Sequence, residues 1–128
     1  MIVGSGIDLI EIERIENSVE RFGRRFLDRV FTAAEQAYCL GRRRAAESLA
    51  ARFAAKEAAA KALGTGISHG VSWREIEIVR AASGKPDLRF HGRAAGIAKR
   101  LGVANASVSL THSSGMAMAC VVLENGGR

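Results

Sequence analysis

Four residues in the middle of the chain carry the first chemical signal. Glu57 and Lys61 stand four apart, as do Arg52 and Lys56, and residues with that spacing share one face of a helix. Leu49, Phe53, Ala60 and Leu63 form the apolar arc of the same segment. The Glu57–Lys61 pair has two readings. Glu57 can hold a divalent cation while Lys61 contacts a phosphate, because hard cations such as Mg2+ take one or two carboxylates plus substrate phosphates. Alternatively the pair is an ordinary i,i+4 ion pair, worth only about 0.2–0.5 kcal/mol on a solvated face. Asp8 bears on the choice, since it interrupts the apolar run Ile2 to Ile10. An acid buried there without a partner costs on the order of several kcal/mol. A metal shared with Glu57 supplies a partner; so does an arginine in so basic a chain. Residue chemistry alone leaves these two readings level.

Other groups weigh less. His112 closes the strand-like Val108-Ser109-Leu110-Thr111, where a lone histidine is more often a hydrogen-bonded structural group than a catalyst. His69 and His91 stand in loop contexts and read as surface residues. Gly64 to Gly70 is glycine-rich, but it follows a helix and lacks the Gly-Lys-Ser/Thr ending, so it is not a P-loop. Gly84-Lys85-Pro86 reads first as a hairpin turn, on which Lys85 can reach a nucleotide. Cys39 and Cys120 have apolar neighbours and no metal-ligand spacing, and read as two buried free thiols.

The elements that must position these groups follow from periodicity. Ile2 to Ile10 reads as a strand, with Gly4 and Gly6 marking a bulge or a close backbone approach. Ile12, Ile15, Val19, Phe22 and Phe26 recur at helical spacing, with Arg14, Arg21 and Arg25 on the opposite side and Gly23 weakening or dividing the helix. Thr32-Ala33-Ala34-Glu35 has capping-box form and opens a short helix through Leu40, stopped by Gly41. Arg42, Arg43 and Arg44 follow as a basic knot. The longest helix is expected from Ser48, with the pattern Leu49 to Leu63 and Gly64 as its C-cap. Trp73 to Arg80 reads as a strand, Asp87 to Phe90 as its hairpin partner, Arg93 to Leu101 as a helix, and Ala106 to His112 and Met116 to Leu123 as two final strands. Strands and helices do not alternate, so the class is α+β with a mostly antiparallel sheet.

At 128 residues and 48% hydrophobic content the chain suffices for one compact domain over residues 1–128. The formal net charge of +6 attracts anions of every kind: nucleic acid, acidic proteins, phosphorylated cofactors or anionic membrane. No secretory signal and no membrane-spanning run is visible, which gives a cytoplasmic expectation.

Gly6-Ile7-Asp8 followed by Phe53-Ala54-Ala55-Lys56-Glu57-Ala58-Ala59-Ala60-Lys61 resembles the paired signature of 4′-phosphopantetheinyl transferases. Ala62-Leu63-Gly64-Thr65-Gly66, Trp73 to Ile78 with its Ile-Glu-Ile ending, Gly84-Lys85-Pro86 and Ser109-Leu110-Thr111-His112-Ser113 resemble the small class of that family, whose members act on acyl carrier proteins. The likeness runs from about residue 2 to residue 123, and the order and spacing of the pieces make it specific.

The resemblance implies a fold that is half of the pseudo-dimeric larger transferases, with one long central helix against the sheet. It implies transfer of the 4′-phosphopantetheine arm of coenzyme A to a serine of an apo acyl carrier protein, in fatty-acid or polyketide synthesis, with release of adenosine 3′,5′-bisphosphate. Asp8 and Glu57 would hold Mg2+, and Glu57 and Lys61 would be catalytic. Arg43, Arg44, Arg52 and His112 are candidates for the 3′-phosphate. Gly64, Gly84, Lys85, Pro86, Ser109 and Thr111 would line the nucleotide cleft together with Lys61. Arg14, Arg21 and Arg25 match the carrier-docking surface, and relatives of this length are typically homotrimers with sites between subunits. One departure matters: Ser113-Ser114-Gly115 stands where many relatives carry an acid, which leaves Glu57 or water as general base.

Two rivals come from other classes. A basic nucleic-acid-binding module leaves Asp8 and Glu57 unexplained, since carboxylates repel a phosphate backbone, and the chain lacks aromatics placed for base stacking. A non-enzymatic binder of acidic partners differs from an enzyme in having no turnover to lose when Glu57 is replaced.

Overall fold

The computed structural model describes residues 1–126. Strand β1 (Ile2–Glu11) leads into α1 (Ile12–Phe22), α2 (Arg24–Val30), α3 (Ala33–Leu40) and the long α4 (Ala45–Leu63). A single 3-10 turn at Trp73–Glu75 precedes β2 (Ile76–Arg80) and β3 (Pro86–Phe90); α5 (Gly92–Arg100), β4 (Asn105–Ser113) and β5 (Met116–Glu124) complete the order. Two antiparallel sheets result, one in the order β1-β5-β4 and one the β2–β3 hairpin. The α+β expectation holds.

Alanine lets α4 lie close on the larger sheet. Ala50, Ala54, Ala55, Ala58, Ala59 and Ala60 are fully buried, and β1 answers with Gly4 and Gly6. A Cβ at Gly4 would overlap the Ala62 carbonyl oxygen, and one at Gly6 the Ala58 carbonyl oxygen. The two glycines are therefore a close backbone approach, which places β1 directly along the helix that carries Glu57. Val108 on β4 and Ala117, Ala119, Val121 and Leu123 on β5 cover the rest of this inner face.

Lys56 ties α4 to the smaller sheet. Its fully buried Nζ donates to Glu35 Oε1 at 2.8 Å, to the Trp73 carbonyl at 3.1 Å and to the Ile76 carbonyl. Glu35 also accepts from the Thr32 and Ile78 backbone N–H groups, each at 2.8 Å. The capping-box residue of α3 is thus the counter-charge of the buried lysine. Phe53 packs on Trp73 with ring centroids 4.5 Å apart.

Several local expectations are corrected. α4 starts at Ala45, with Arg44 as its N-cap, instead of at Ser48; Ala45, Ala46 and Glu47 are good helix formers and extend it. Trp73–Glu75 coils into a turn closed by a Ser72–Glu75 capping box, so the strand begins only at Ile76. Phe22 is 49% exposed, because Gly23 adopts φ 54° and ends α1 before the apolar stripe is complete. Cys39 is buried as expected, with burial pushing its thiol up to about 11, but Cys120 is exposed. It occupies the outer face of β5, where side chains alternate away from the core. No helix among the described residues is long and apolar enough to cross a membrane.

Candidate active site

Asp8 belongs to the inward-facing set of β1 and meets α4 at the level of Glu57 and Lys61. The Lys61 ammonium donates to Asp8 Oδ1 and to the Ile7 carbonyl, both at 3.0 Å. Lys61 therefore pairs with the strand carboxylate and not with Glu57, the helical neighbour that its spacing suggested. The Asp8 side chain is 19% exposed and that of Lys61 50% exposed, so the pair borders solvent instead of lying in the core.

Glu57 is half-buried and accepts no hydrogen bond among the described residues. Burial raises the pKa of its carboxyl above the usual range; the nearby Asp8 charge adds to the rise, and Lys61 opposes it. Two carboxylates within Coulombic reach of each other repel. A hard cation between them would relieve that repulsion, and an oxygen donor set of two carboxylates completed by substrate phosphates is what Mg2+ takes. The residues present fit such an ion. No group of three or more His, Cys, Asp or Glu side chains forms an all-protein cage among the described residues.

The basic knot builds a second cluster beyond the other end of α4. Gly41, Arg42, Arg43, Arg44, Glu47, Ser48 and His112 line one recess. Glu47 accepts from Arg44 Nη1 at 3.4 Å and lies 3.9 Å from His112 Nδ1. His112 faces inward from β4 to reach it. Its strand neighbours Ser109 and Thr111 pair with Cys120 and Met118 and point to the opposite, outer face. Gly84, Lys85 and Pro86 close the β2–β3 hairpin, with Gly84 at φ 88°. Gly64, at φ 85°, caps α4 in the left-handed conformation.

The remaining predicted residues divide. Arg14, Arg21 and Arg25 are all exposed, but Arg25 belongs to α2, across the Gly23 bend. Phe22, Phe26, Ser18, Arg25 and Arg29 line a shallow recess at that bend, and the Arg21 guanidinium lies 5.3 Å from the Phe22 ring centroid. Arg52 does not line the Arg43–Arg44–His112 recess. It is 3% exposed and lies against Tyr38. His91 is more than a surface residue: its Nε2 pairs with Glu77 at 2.9 Å. Glu77 also accepts from the Thr32 hydroxyl. Burial raises the Glu77 pKa, but the His91 and Thr32 hydrogen bonds outweigh it and the net shift is downward.

Comparison with known proteins matches these features to one family. Residues 4–121 match the model of the 4′-phosphopantetheinyl transferase superfamily. A holo-[acyl-carrier-protein] synthase of Solibacter usitatus is 50% identical over 125 residues, covering 98% of this chain and all of the relative. The crystal structure of holo-[acyl-carrier-protein] synthase from Neisseria meningitidis superposes with a TM-score of 0.89 at 36% identity, over 98% of this chain and 100% of that one. The Helicobacter pylori holo-[acyl-carrier-protein] synthase, solved in complex with coenzyme A, gives 0.83 at 32% identity, over 94% and 99%. With its Gly6-Ile7-Asp8 strand laid along the Lys56-Glu57 helix, as the paired signature requires, the chain belongs to the 4′-phosphopantetheinyl transferase superfamily.

Proposed function

We propose that this protein transfers the 4′-phosphopantetheine arm of coenzyme A to a serine of an apo acyl carrier protein, as one cytoplasmic domain working in fatty-acid or polyketide synthesis. The observation that carries the reading is the Asp8–Glu57 carboxylate pair with Lys61 clamped to its edge. The serine oxygen forms a bond to the pantetheine-side phosphorus of the pyrophosphate. The bond from that phosphorus to the bridging oxygen breaks, and adenosine 3′,5′-bisphosphate leaves.

Each side chain has a task in that displacement. Asp8 and Glu57 would hold Mg2+, which when bound offsets pyrophosphate charge and orients the phosphorus. Lys61 stabilises charge on the leaving oxygen. Glu57, with a raised pKa and no hydrogen-bond donor of its own, takes the serine proton directly or through water; Asp8 is already engaged by Lys61. Arg43, Arg44 and His112 bind the 3′-phosphate, and Arg52, held against Tyr38, contributes to it only if it turns out of that contact. Gly64, Gly84, Lys85, Pro86, Ser109 and Thr111 line the nucleotide cleft.

That cleft is divided within one chain, because Ser109 and Thr111 point away from the face that carries Asp8. The outer face also exposes Ile7 at 58% and Leu9 at 55%. A sheet face of this kind favours burial against another copy, which supports a homotrimer with sites between subunits. Light scattering that returns a monomer at working concentration would remove the assembly from the proposal.

Incubation with coenzyme A, Mg2+ and an apo acyl carrier protein, read by intact mass, tests the whole reading. The carrier gains one phosphopantetheine; no gain on any acidic carrier tested sinks the proposal. The same assay tests docking through Arg14, Arg21 and Arg25. Carrier proteins are acidic, so reversing Arg14 and Arg21 to Glu raises KM for the carrier by roughly tenfold or more and steepens nothing in the coenzyme A dependence. An unchanged carrier KM would show the stripe to be only a solubilising face.

A further inference from the structure

The loop between α4 and the Trp73–Glu75 turn begins at Gly64, one of the residues assigned to the nucleotide cleft. Gly64, Gly66, His69 and Gly70 all take positive φ, at 85°, 64°, 55° and 87°. Of these only His69 carries a side chain, and the left-handed region is unfavourable for it. A residue stays in that region when its surroundings over-determine it. His69 is held from two directions, by its ring and by its carbonyl.

The ring braces the start of the loop. The Ser68 hydroxyl donates to the Thr65 carbonyl at 2.9 Å, so its one proton is spent. His69 Nδ1 lies 2.8 Å from that hydroxyl oxygen and 3.2 Å from the same carbonyl. Both partners are then acceptors, which assigns the proton to Nδ1. A ring protonated there keeps these bonds whether it is neutral or cationic. On the other side, the Thr65 and Gly66 N–H groups both donate to the Ala60 carbonyl at 3.1 Å. The turn at residues 64–66 is thus tied to α4 at one end and to His69 at the other.

The carbonyl is held from α5. Arg93 Nε donates to the His69 carbonyl at 2.8 Å, from 24 positions away. The same side chain lies across Gly70, where a Cβ would stand 2.5 Å from Arg93 Cδ and Nε. Glycine is therefore required at 70 twice, by its φ and by the arginine above it. Arg93 is itself anchored through its backbone. Glu75 Oε2 accepts from the Arg93 N–H at 2.9 Å, while Oε1 accepts from the Ser72 N–H at 3.1 Å. A carboxylate at the first turn of a helix also suits the helix dipole. One acid thus fixes the Trp73–Glu75 turn and the start of α5, and from there Arg93 reaches back over the loop.

We infer that Arg93, acting through the His69 carbonyl, is a positioning residue for the turn at residues 64–66 of the nucleotide cleft. It touches no reacting atom. Without it His69 relaxes out of its left-handed conformation, its ring leaves, and the Thr65 carbonyl loses a donor. The backbone that meets coenzyme A then loses its fixed shape, and ordering it again is charged against binding. The effect on coenzyme A rests on the transferase reading; the hold of Arg93 on the loop does not.

Hydrogen exchange over residues 64–71, read by mass spectrometry, compares the parent with Arg93→Ala and Arg93→Lys. The Arg93 side chain is exposed, so the fold survives its loss, and circular dichroism checks this. Arg93→Ala speeds exchange in the loop about tenfold, and Arg93→Lys, which keeps a donor, recovers part of the protection. Gly70→Ala does less harm in the Arg93→Ala background than alone, because the side chain it collides with is gone. In the transfer assay Arg93→Ala raises KM for coenzyme A about fivefold to tenfold, while kcat and the carrier KM stay within about twofold. A general loss of stability would lower kcat without that split. Unchanged exchange in Arg93→Ala overturns the inference, and so does faster exchange with an unchanged KM for coenzyme A. A parent chain that transfers nothing would sink the transferase reading, while the exchange comparison would still decide whether Arg93 holds the loop, so the two fail separately.

Discussion

Glu57→Gln abolishes pantetheine transfer, by on the order of 10³-fold in kcat/KM, while the protein still folds and still binds the carrier. A carboxamide keeps the size of the side chain but removes the charge a cation needs and the base a serine proton needs. Effects of this size are common when one preorganised electrostatic group is removed from a site of charge transfer. Carrier affinity, measured by titration, stays because the proposed docking stripe lies on α1 and α2. The stability consequence runs the other way. Glu57 has a folded-state pKa raised by burial and by Asp8. A raised carboxylate contributes stability only below its unfolded pKa and loses it as pH rises through the folded value. At neutral pH the ionised Glu57 is thus a burden on the fold. The melting temperature of Glu57→Gln should equal or exceed that of the parent at pH 7, with the difference shrinking toward acid pH. A variant that melts lower at neutral pH, or that retains turnover, removes Glu57 from the site. Stability given up at a reacting group is common at functional sites.

The same carboxylate shows how far a sequence can be read. Gly6, Asp8, Glu57 and Lys61 were identifiable because an acid in an apolar strand, and a charged pair on an alanine-rich helix, are locally anomalous. Their pairing was not. Which carboxylate Lys61 chooses depends on how closely α4 lies on β1, and that distance is set by Gly4 and Gly6 meeting Ala62 and Ala58, 52 or more positions away in the chain. Helical spacing sees only neighbours four apart, so it paired Lys61 with Glu57. Arg52 illustrates the limit again. Its face of the helix was readable, but its burial against Tyr38 depends on α3 and β2 arriving on that side. Cys120 was misplaced because an apolar strand does not reveal which of its faces meets the core. The Met116, Met118, Cys120 and Val122 set is as hydrophobic as Ala117, Ala119, Val121 and Leu123, yet only the second set is buried. An apolar outer face hides the alternation that normally fixes strand orientation.

Lys56 is the residue whose role was least readable, and its replacement carries the largest expected effect on stability. Lys56→Ala should cost about 3–5 kcal/mol, the usual range when one partner of a buried ion pair is removed. Three acceptors lose their donor at once: Glu35 Oε1 and the Trp73 and Ile76 carbonyls. Burial lowers the Lys56 pKa and sets the net direction, while the Glu35 carboxylate, through both charge and hydrogen bond, opposes it. The Glu35 carboxylate is therefore what offsets the burial of the lysine, and it is itself buried. Removing the lysine leaves that carboxylate stranded between the Thr32 and Ile78 N–H groups. Urea unfolding should show a midpoint shift with little change in slope. A Lys56→Met, Glu35→Gln double variant should be less destabilised than the sum of its singles, since residues in one hydrogen-bonded network couple. Additive losses would mean the two groups do not act as a pair. Unchanged stability with lost turnover would instead move Lys56 from the frame of the protein into its chemistry. The geometry favours the frame, because the Lys56 ammonium has no exposed surface and the reacting phosphate cannot reach it. Glu57, one position along the same helix, turns instead to the larger sheet, toward Asp8. One turn of α4 thus presents a structural cation to one side and the proposed catalytic carboxylate to the other, and its rigidity is what keeps Glu57 at a fixed distance from Asp8.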